Sequence, residues 1–313
     1  FYTIKRIIGI MSEKVKVVLL AGRGIKQVPK YSESYFSTSL EWLINAFNQN
    51  GIDDITIVGG KGIESIELED MNVKYIFNPS WDVTGPVRSL FLAKEILCSS
   101  DCLISYVDVV YRAELVKDFL VANDSEIRIV TDKNWKERYL GRTEKSIEEA
   151  EKVWLETNNT VSKVDKKYVD LDEVSGEYTG LLYLSKDKSK HIFEIYDSPD
   201  YRQASLTHNF PDFFQTLLLH NQTIHSHNTL GEWAELDKDK SDGRYLVDFN
   251  HFVFGTKAQT LTRLKPMLKK GKILTQVSFT IYEWEKQREK ILKNIKDSIR
   301  NDHVVVRSST LME

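Results

Sequence analysis

At 313 residues the chain is long enough for two domains, or for one large domain with an appendix. The net charge of -3 excludes bulk attraction to nucleic acid or to an anionic membrane, so any basic site has to be local. No apolar run reaches the roughly 20 residues of a membrane span. Two cysteines, Cys98 and Cys102, have no partner set of Cys and His near them; they exclude a disulfide framework and point to reduced thiols in a cytoplasmic protein.

The stretch FYTIKRIIGI precedes Met11. Its apolar part is too short for a signal peptide and no small-residue cleavage site follows, so residues 1–11 read as an upstream extension. Strand and helix patterns then alternate. Residues 15–20 predict a strand. Leu40, Leu43, Ile44 and Phe47 have helical spacing over 39–50, closed by Asn50-Gly51. Residues 54–60, 73–78, 102–110 and 126–132 predict further strands, and 86–97 a helix. The charge-rich segment 133–175 fits a helix, or a helix followed by a turn and strand. A strand is expected at 178–185 and a helical excursion at 199–215. The polar run ELDKDKSDGR (235–244) marks a boundary, giving one domain over 12–245 and a second unit over 246–313. In the latter, helices are expected at 258–268 and 282–300 and a strand at 303–309. Alternating strands and helices imply an α/β fold, a mixed and mostly parallel sheet flanked by helices, with ligands at the carboxyl ends of strands.

Those ends carry the chemistry. In VVLLAGRGIK an apolar strand stops at Gly22 and Gly24, followed by Lys26. Side-chain-free N–H groups beside positive charge can cradle a phosphate; a tight turn with solvated lysines fits the same residues. The third glycine of a dinucleotide fingerprint and the GK[ST] of a Walker loop are both absent. Asp108 ends an apolar strand, where a carboxylate is costly to bury unless it is paired, caps a helix or holds a hard cation. Glu235 and Asp237 in EWAELD share a face of a short strand, or of a solvated edge. His220, His225 and His227 stand close in sequence, without a carboxylate or cysteine at zinc-ligand spacing.

As an ordered set, LLAGRGIK, LEWLINAFNQNGIDDITIVGG, NPSWDVTGPVRSLFLAKEIL and the strand ending in Asp108 resemble the GT-A-type nucleotidyltransferases. DKNWKERYLGRTEKSIEEAEKVWL followed by SGEYTGLLYLS is similar to the branch of cytidylyltransferases acting on phosphocholine or phosphonates, and GEWAELD to the element closing their catalytic part. The resemblance covers about residues 15–240. It implies a Rossmann-like GT-A fold and a Mg²⁺-dependent transfer from CTP to a small phosphorylated or phosphonate acceptor, releasing pyrophosphate. It implies that Asp108 and Asp237 hold the metal and act in catalysis with Lys26. Leu20, Ala21, Gly22, Gly24, Gly59, Gly85 and Ser89 would line the nucleotide, and Arg88, Arg142, Lys152 and Glu177 the acceptor. Neither nucleic acid nor membrane is an expected partner; a homodimer is compatible. A sugar-1-phosphate nucleotidyltransferase and a non-catalytic nucleotide-binding regulatory domain are the alternatives. Two departures stand out: the family usually has arginine at the position of Lys26, and a longer gap before the lysine matched by Lys30.

FGTKAQTLTRL (254–264) and VVVRSSTLME (304–313) resemble the start of the ATP-grasp domain of phosphoenolpyruvate synthase and its relatives, in which the residues matching Lys257 and Arg307 contact ATP. The expectation is a fragment of a longer protein, truncated in that domain and without kinase activity of its own.

Overall fold

The computed structural model describes residues 15–22, 24–26, 38–60, 63, 73–122, 125–139, 144–167, 172–236, 249, 252–265, 268, 270–279, 281–299 and 303–308. The chain divides into two compact units, Phe1–Leu246 and Val247–Glu313.

The first unit contains β1 (Lys16–Ala21), β2 (Ile55–Gly59), β3 (Val73–Phe77), β4 (Cys102–Tyr106), β5 (Val109–Tyr111), β6 (Ile127–Asp132), β7 (Lys152–Leu155), β8 (Val161–Asp165), β9 (Gly176–Leu184), β10 (His225–Thr229) and β11 (Trp233–Glu235). Its helices are α1 (Ser39–Asn48), α2 (Pro86–Leu92), α3 (Lys94–Ser99), α4 (Ala113–Val121), α5 (Trp135–Arg138), α6 (Glu144–Glu149), α7 (Lys186–Asp197), α8 (Pro199–Arg202) and α9 (Phe210–Leu219). The main sheet runs β10-β6-β9-β4-β1-β2-β3, with β7 and β8 attached beside β9, and β5 pairs with β11 in a separate ribbon. The pairings of β1 with β2 and β4, of β2 with β3 and of β6 with β10 are parallel, whereas β9 runs antiparallel to β4 and β6. This is the mixed, largely parallel α/β sheet that the strand–helix alternation implies.

β1 lies inside the sheet, between β4 and β2, because its side chains are apolar on both faces. Val18 and Leu20 pack with residues of α2, α3, α7 and α9, while Val17, Leu19 and Ala21 pack with α1 and α4. Full burial of each Val or Leu contributes about 1.5–3 kcal/mol, which fixes the strand between two helical layers. α1 begins at Thr38, whose side chain accepts from the Glu41 N–H while the Glu41 carboxylate accepts from the Thr38 N–H. It ends before Gly51, which takes φ +77°, a left-handed value that favours glycine.

Several expected elements take a more particular form. The helix expected over 86–97 is two helices, divided at Ala93, whose ψ of 19° interrupts the helical path. The strand expected over 102–110 is also two: β4 leaves the sheet at Val107–Asp108 and β5 pairs with β11 instead. The segment 133–175 takes the helix–turn–strand form, as α6, β7 and β8. In the second unit, α10 (Lys257–Leu264) starts at a Thr256–Gln259 capping box and α11 (Ile281–Ser298) is kinked at Gln287. The strand expected over 303–309 does not form across 303–308: Val304, Val305 and Val306 are 51%, 80% and 86% exposed. Their β propensity has no neighbouring strand to pair with among the described residues, and propensity without a partner does not make a strand. Lys257 opens α10, and Arg307 lies in this exposed segment. No helix among the described residues is long and apolar enough to cross a membrane.

Candidate active site

The carboxyl ends of β1, β2, β4 and β6 converge on one side of the sheet. After β1 the chain turns sharply: the Gly24 N–H donates to the Ala21 carbonyl at 3.0 Å, and Gly24 has φ +73°. A Cβ added at Gly22 or Gly24 would meet no atom of the described residues within 4 Å. The Lys26 N–H donates to Ser39 Oγ at 3.2 Å, and the Lys26 carbonyl accepts from the Ser39 N–H at 2.9 Å. The loop is therefore tied to the first residue of α1, whose N-terminal dipole adds positive potential beside the glycines. Leu20 and Ala21 contribute backbone here; the Leu20 carbonyl accepts from Val107 at 3.2 Å, joining this loop to the segment that carries Asp108.

The glycines beyond β2 are different. A Cβ at Gly59 would lie 2.5 Å from Ile63 Cδ1, one at Gly60 2.1 Å from Trp81 Cγ, and one at Gly85 2.3 Å from the His208 carbonyl oxygen. Close packing within the protein therefore requires glycine at Gly59 and Gly85. Ser89 is buried, and its Oγ accepts from Asn78 Nδ2 at 3.1 Å; that amide also donates to Thr84 Oγ1 at 3.1 Å. Asn78 thus organises the turn between β3 and α2, a role its sequence position at a strand end only hinted at. Arg88, half-buried on α2, makes no ion pair among the described residues.

Asp108 lies between β4 and β5 and is 6% exposed. β5 and β11 are antiparallel, with Val109 opposite Glu235, and the Leu236 N–H donates to the Asp108 carbonyl at 2.6 Å. The chain thus brings the GEWAELD segment onto Asp108 from more than a hundred positions away. Asp237 follows Leu236 but lies outside the described residues, as does Arg142.

Lys152 and Glu177 are cross-strand neighbours on β7 and β9. Lys152 is 0% exposed, and its ammonium donates to the carbonyls of Lys166 at 2.9 Å, Ala150 at 3.3 Å and Glu148 at 3.4 Å. Burial lowers its pKa from the ordinary lysine range, with Glu177 pulling the other way. Glu177 is also buried and accepts from the Tyr139 hydroxyl at 2.6 Å. The Lys152 ammonium and the Tyr139-bonded carboxylate of Glu177 are thus held inside the protein. The histidines are likewise explained locally: His225 Nδ1 lies 2.8 Å from Ser125 Oγ, and His227 packs against Phe119. No group of three His, Cys, Asp or Glu able to hold a metal occurs among the described residues.

Similarity to other proteins follows this geometry. No protein-family model matches the chain. Over 242 residues it is 27% identical to a CTP:phosphoglutamine cytidylyltransferase of Campylobacter jejuni subsp. jejuni serotype O:2, covering 71% of this chain and 94% of the relative. The inositol-1-phosphate CTP transferase from T. maritima superposes with a TM-score of 0.54 at 15% identity, over 77% of this chain and 98% of that structure. HddC from Yersinia pseudotuberculosis, solved with GMP-PN, gives 0.51 at 14% identity, over 76% and 99%. The chain has a nucleotidyltransferase fold. In open α/β sheets of this kind ligands bind beyond the carboxyl ends of the strands.

Proposed function

We propose that the chain is a cytidylyltransferase that joins CTP to a small phosphorylated acceptor, giving a CDP-linked product and pyrophosphate. The observation that carries this reading is the open Gly22–Gly24 loop, tied through the Leu20 carbonyl to the segment bearing Asp108. Similarity to a cytidylyltransferase across 94% of that relative's length supports the choice of nucleotide. In the reaction an oxygen of the acceptor phosphoryl group attacks the α-phosphorus of CTP in line. The new P–O bond forms as the bond from the α-phosphorus to the α,β-bridging oxygen breaks, and pyrophosphate carries the electron pair away. No covalent enzyme intermediate is required, so the protein's part is to orient the two phosphates and offset their charge.

The backbone N–H of Gly22 and the dipole of α1 face the triphosphate, with Lys26, 6% exposed, as the cationic side chain of the loop. Ser89 and the turn held by Asn78 border the nucleotide, and Arg88 offers a guanidinium fork to the acceptor's phosphoryl group. Asp108 supplies a hard oxygen donor at the end of β4. Together with Asp237 it would hold Mg²⁺, which would offset triphosphate charge.

We place a phosphoramidate or phosphonate acceptor ahead of phosphocholine, since the relative in sequence is a phosphoglutamine enzyme. The test is pyrophosphate release with CTP or UTP and a panel of phosphoglutamine, 2-aminoethylphosphonate, phosphocholine and sugar 1-phosphates. CTP with phosphoglutamine or the phosphonate is expected to give the highest kcat/KM. A tenfold preference for a sugar 1-phosphate or for UTP, about 1.4 kcal/mol in transition-state binding, overturns it. Asp108→Asn should lower kcat at least about a hundredfold with the far-UV spectrum unchanged; near-normal turnover removes Asp108 from the site.

A further inference from the structure

Asp132 ends β6 and is 0% exposed, although no ligand role accounts for a carboxylate buried there. Oδ1 accepts from the backbone N–H of Asn134 at 2.9 Å and of Gly231 at 3.2 Å, and Oδ2 accepts from Trp233 Nε1 at 2.8 Å. The last two donors lie 99 and 101 positions along the chain, Gly231 in the turn joining β10 to β11 and Trp233 at the start of β11. Successive residues of that turn, Gly231 at φ +104° and Glu232 at φ +68°, take left-handed values. A non-glycine residue rarely adopts this conformation and persists there when its surroundings over-determine it.

The surroundings here do so. The Lys133 N–H donates to the Thr229 carbonyl at 3.0 Å, Thr229 Oγ1 donates to the Gly231 carbonyl at 2.6 Å, and the Arg112 N–H donates to the Glu232 carbonyl at 3.0 Å. From the turn, β11 runs antiparallel to β5, Trp233 opposite Tyr111 and Glu235 opposite Val109, and ends where the Leu236 N–H meets the Asp108 carbonyl. A continuous path of hydrogen bonds and one short ladder therefore leads from the Asp132 carboxylate to the backbone of Asp108.

We infer that Asp132 is a positioning residue of the transferase: its buried carboxylate clamps the β10–β11 turn and, through β11, sets the place of Asp108. The inference rests on the proposed cytidylyl transfer for its catalytic consequence, and on geometry alone for the clamp. A carboxylate can accept all three N–H groups. An amide cannot, because its NH₂ would oppose at least one donor. The relevant sequence signal is slight. Asp-Lys-Asn at a strand end reads as a local turn, which the Asn134 bond satisfies, and nothing local points to Trp233.

The experiment compares Asp132→Asn and Trp233→Phe with the wild-type chain by kinetics, thermal melting and amide hydrogen exchange. The second variant keeps an aromatic ring and deletes the N–H donor. Asp132→Asn is expected to lower kcat about thirtyfold while changing the KM for CTP less than about threefold, as loss of alignment rather than of ground-state binding. Amides of residues 231–236 should exchange faster, while those of β1 and β4 keep their protection. Trp233→Phe should show the same pattern at smaller amplitude, and it decides the matter if Asp132→Asn fails to fold. Unchanged exchange at 231–236, or a uniform rise across β1, β4 and β9 with no selective loss of kcat, overturns the inference. A wild-type chain that transfers no cytidylyl group defeats the functional reading alone; the exchange pattern still decides whether Asp132 clamps the turn.

Discussion

Two polar regions at the same end of the sheet differ in what faces them. The loop after β1 has glycines with nothing over them among the described residues: a Cβ on Gly22 or Gly24 would meet none of their atoms within 4 Å. Across the sheet, Lys152 and Glu177 are enclosed, with the Lys152 ammonium spent on three backbone carbonyls and Glu177 bonded to Tyr139. Both regions carry residue types that recognise phosphates. Only the first has glycines whose Cα faces meet no described residue. A basic or glycine residue at a strand end is therefore a ligand contact or a structural part according to what already satisfies it, and the second case costs stability, not binding, when it is broken.

The strongest way to break this contrast is Lys152→Ala. With three carbonyls left without their donor and Glu177 without its neighbour, we expect a loss of about 3 kcal/mol in stability, read by denaturant unfolding. KM for the acceptor should be unchanged in the folded fraction. A normal melting curve with a raised acceptor KM would return Lys152 to the ligand site.

Gly85→Ala comes next. Its Cβ would be 2.3 Å from the His208 carbonyl oxygen and 2.8 Å from that of Thr207, both backbone atoms that cannot rotate away. A destabilisation of about 2 kcal/mol is expected, which for a domain of this size lowers Tm by about 4–8 °C. Differential scanning fluorimetry reads it directly.

Gly22→Ala should do the reverse. The added methyl group meets no atom of the described residues, so Tm stays within about 1 °C, while the KM for CTP rises about tenfold because the methyl occupies the approach of a phosphate; that is about 1.4 kcal/mol. Unchanged KM would make the loop a plain turn.

The smallest effect concerns the interior. Burial pushes the Cys102 thiol from 9.0 up to about 12, so the folded chain keeps its proton where the unfolded chain has lost it. Since the folded-state value is the higher one, the corresponding stability is present below pH 9 and declines as pH rises from 9 towards 12. Ellman's reagent at pH 8 should therefore modify the half-buried Cys98 first, and Cys102 only after denaturant is added. Equal rates for the two would show that the region around β4 opens readily.

Much of the fold was legible in the chain alone. The doubly apolar run of β1, the helical spacing of Leu40, Leu43, Ile44 and Phe47, and the alternation of strands with helices determined an α/β sheet with ligand-facing strand ends, because periodicity and burial are local properties. The Gly22–Gly24 turn and Asp108 also stood out locally, each as an unexpected residue at the end of an apolar strand. Tertiary structure decided the rest. It split 102–110 by giving Val109–Tyr111 a different partner strand, and it denied a strand to 303–308 for want of any partner among the described residues. It also separated open glycines from packed ones and turned Lys152 inward. Asp132 acquired its meaning only when Trp233 arrived 101 positions later. Sequence pattern records which residues prefer to be buried or to turn; whether a polar group is left free depends on which distant atoms satisfy it, and only the folded chain brings those atoms together.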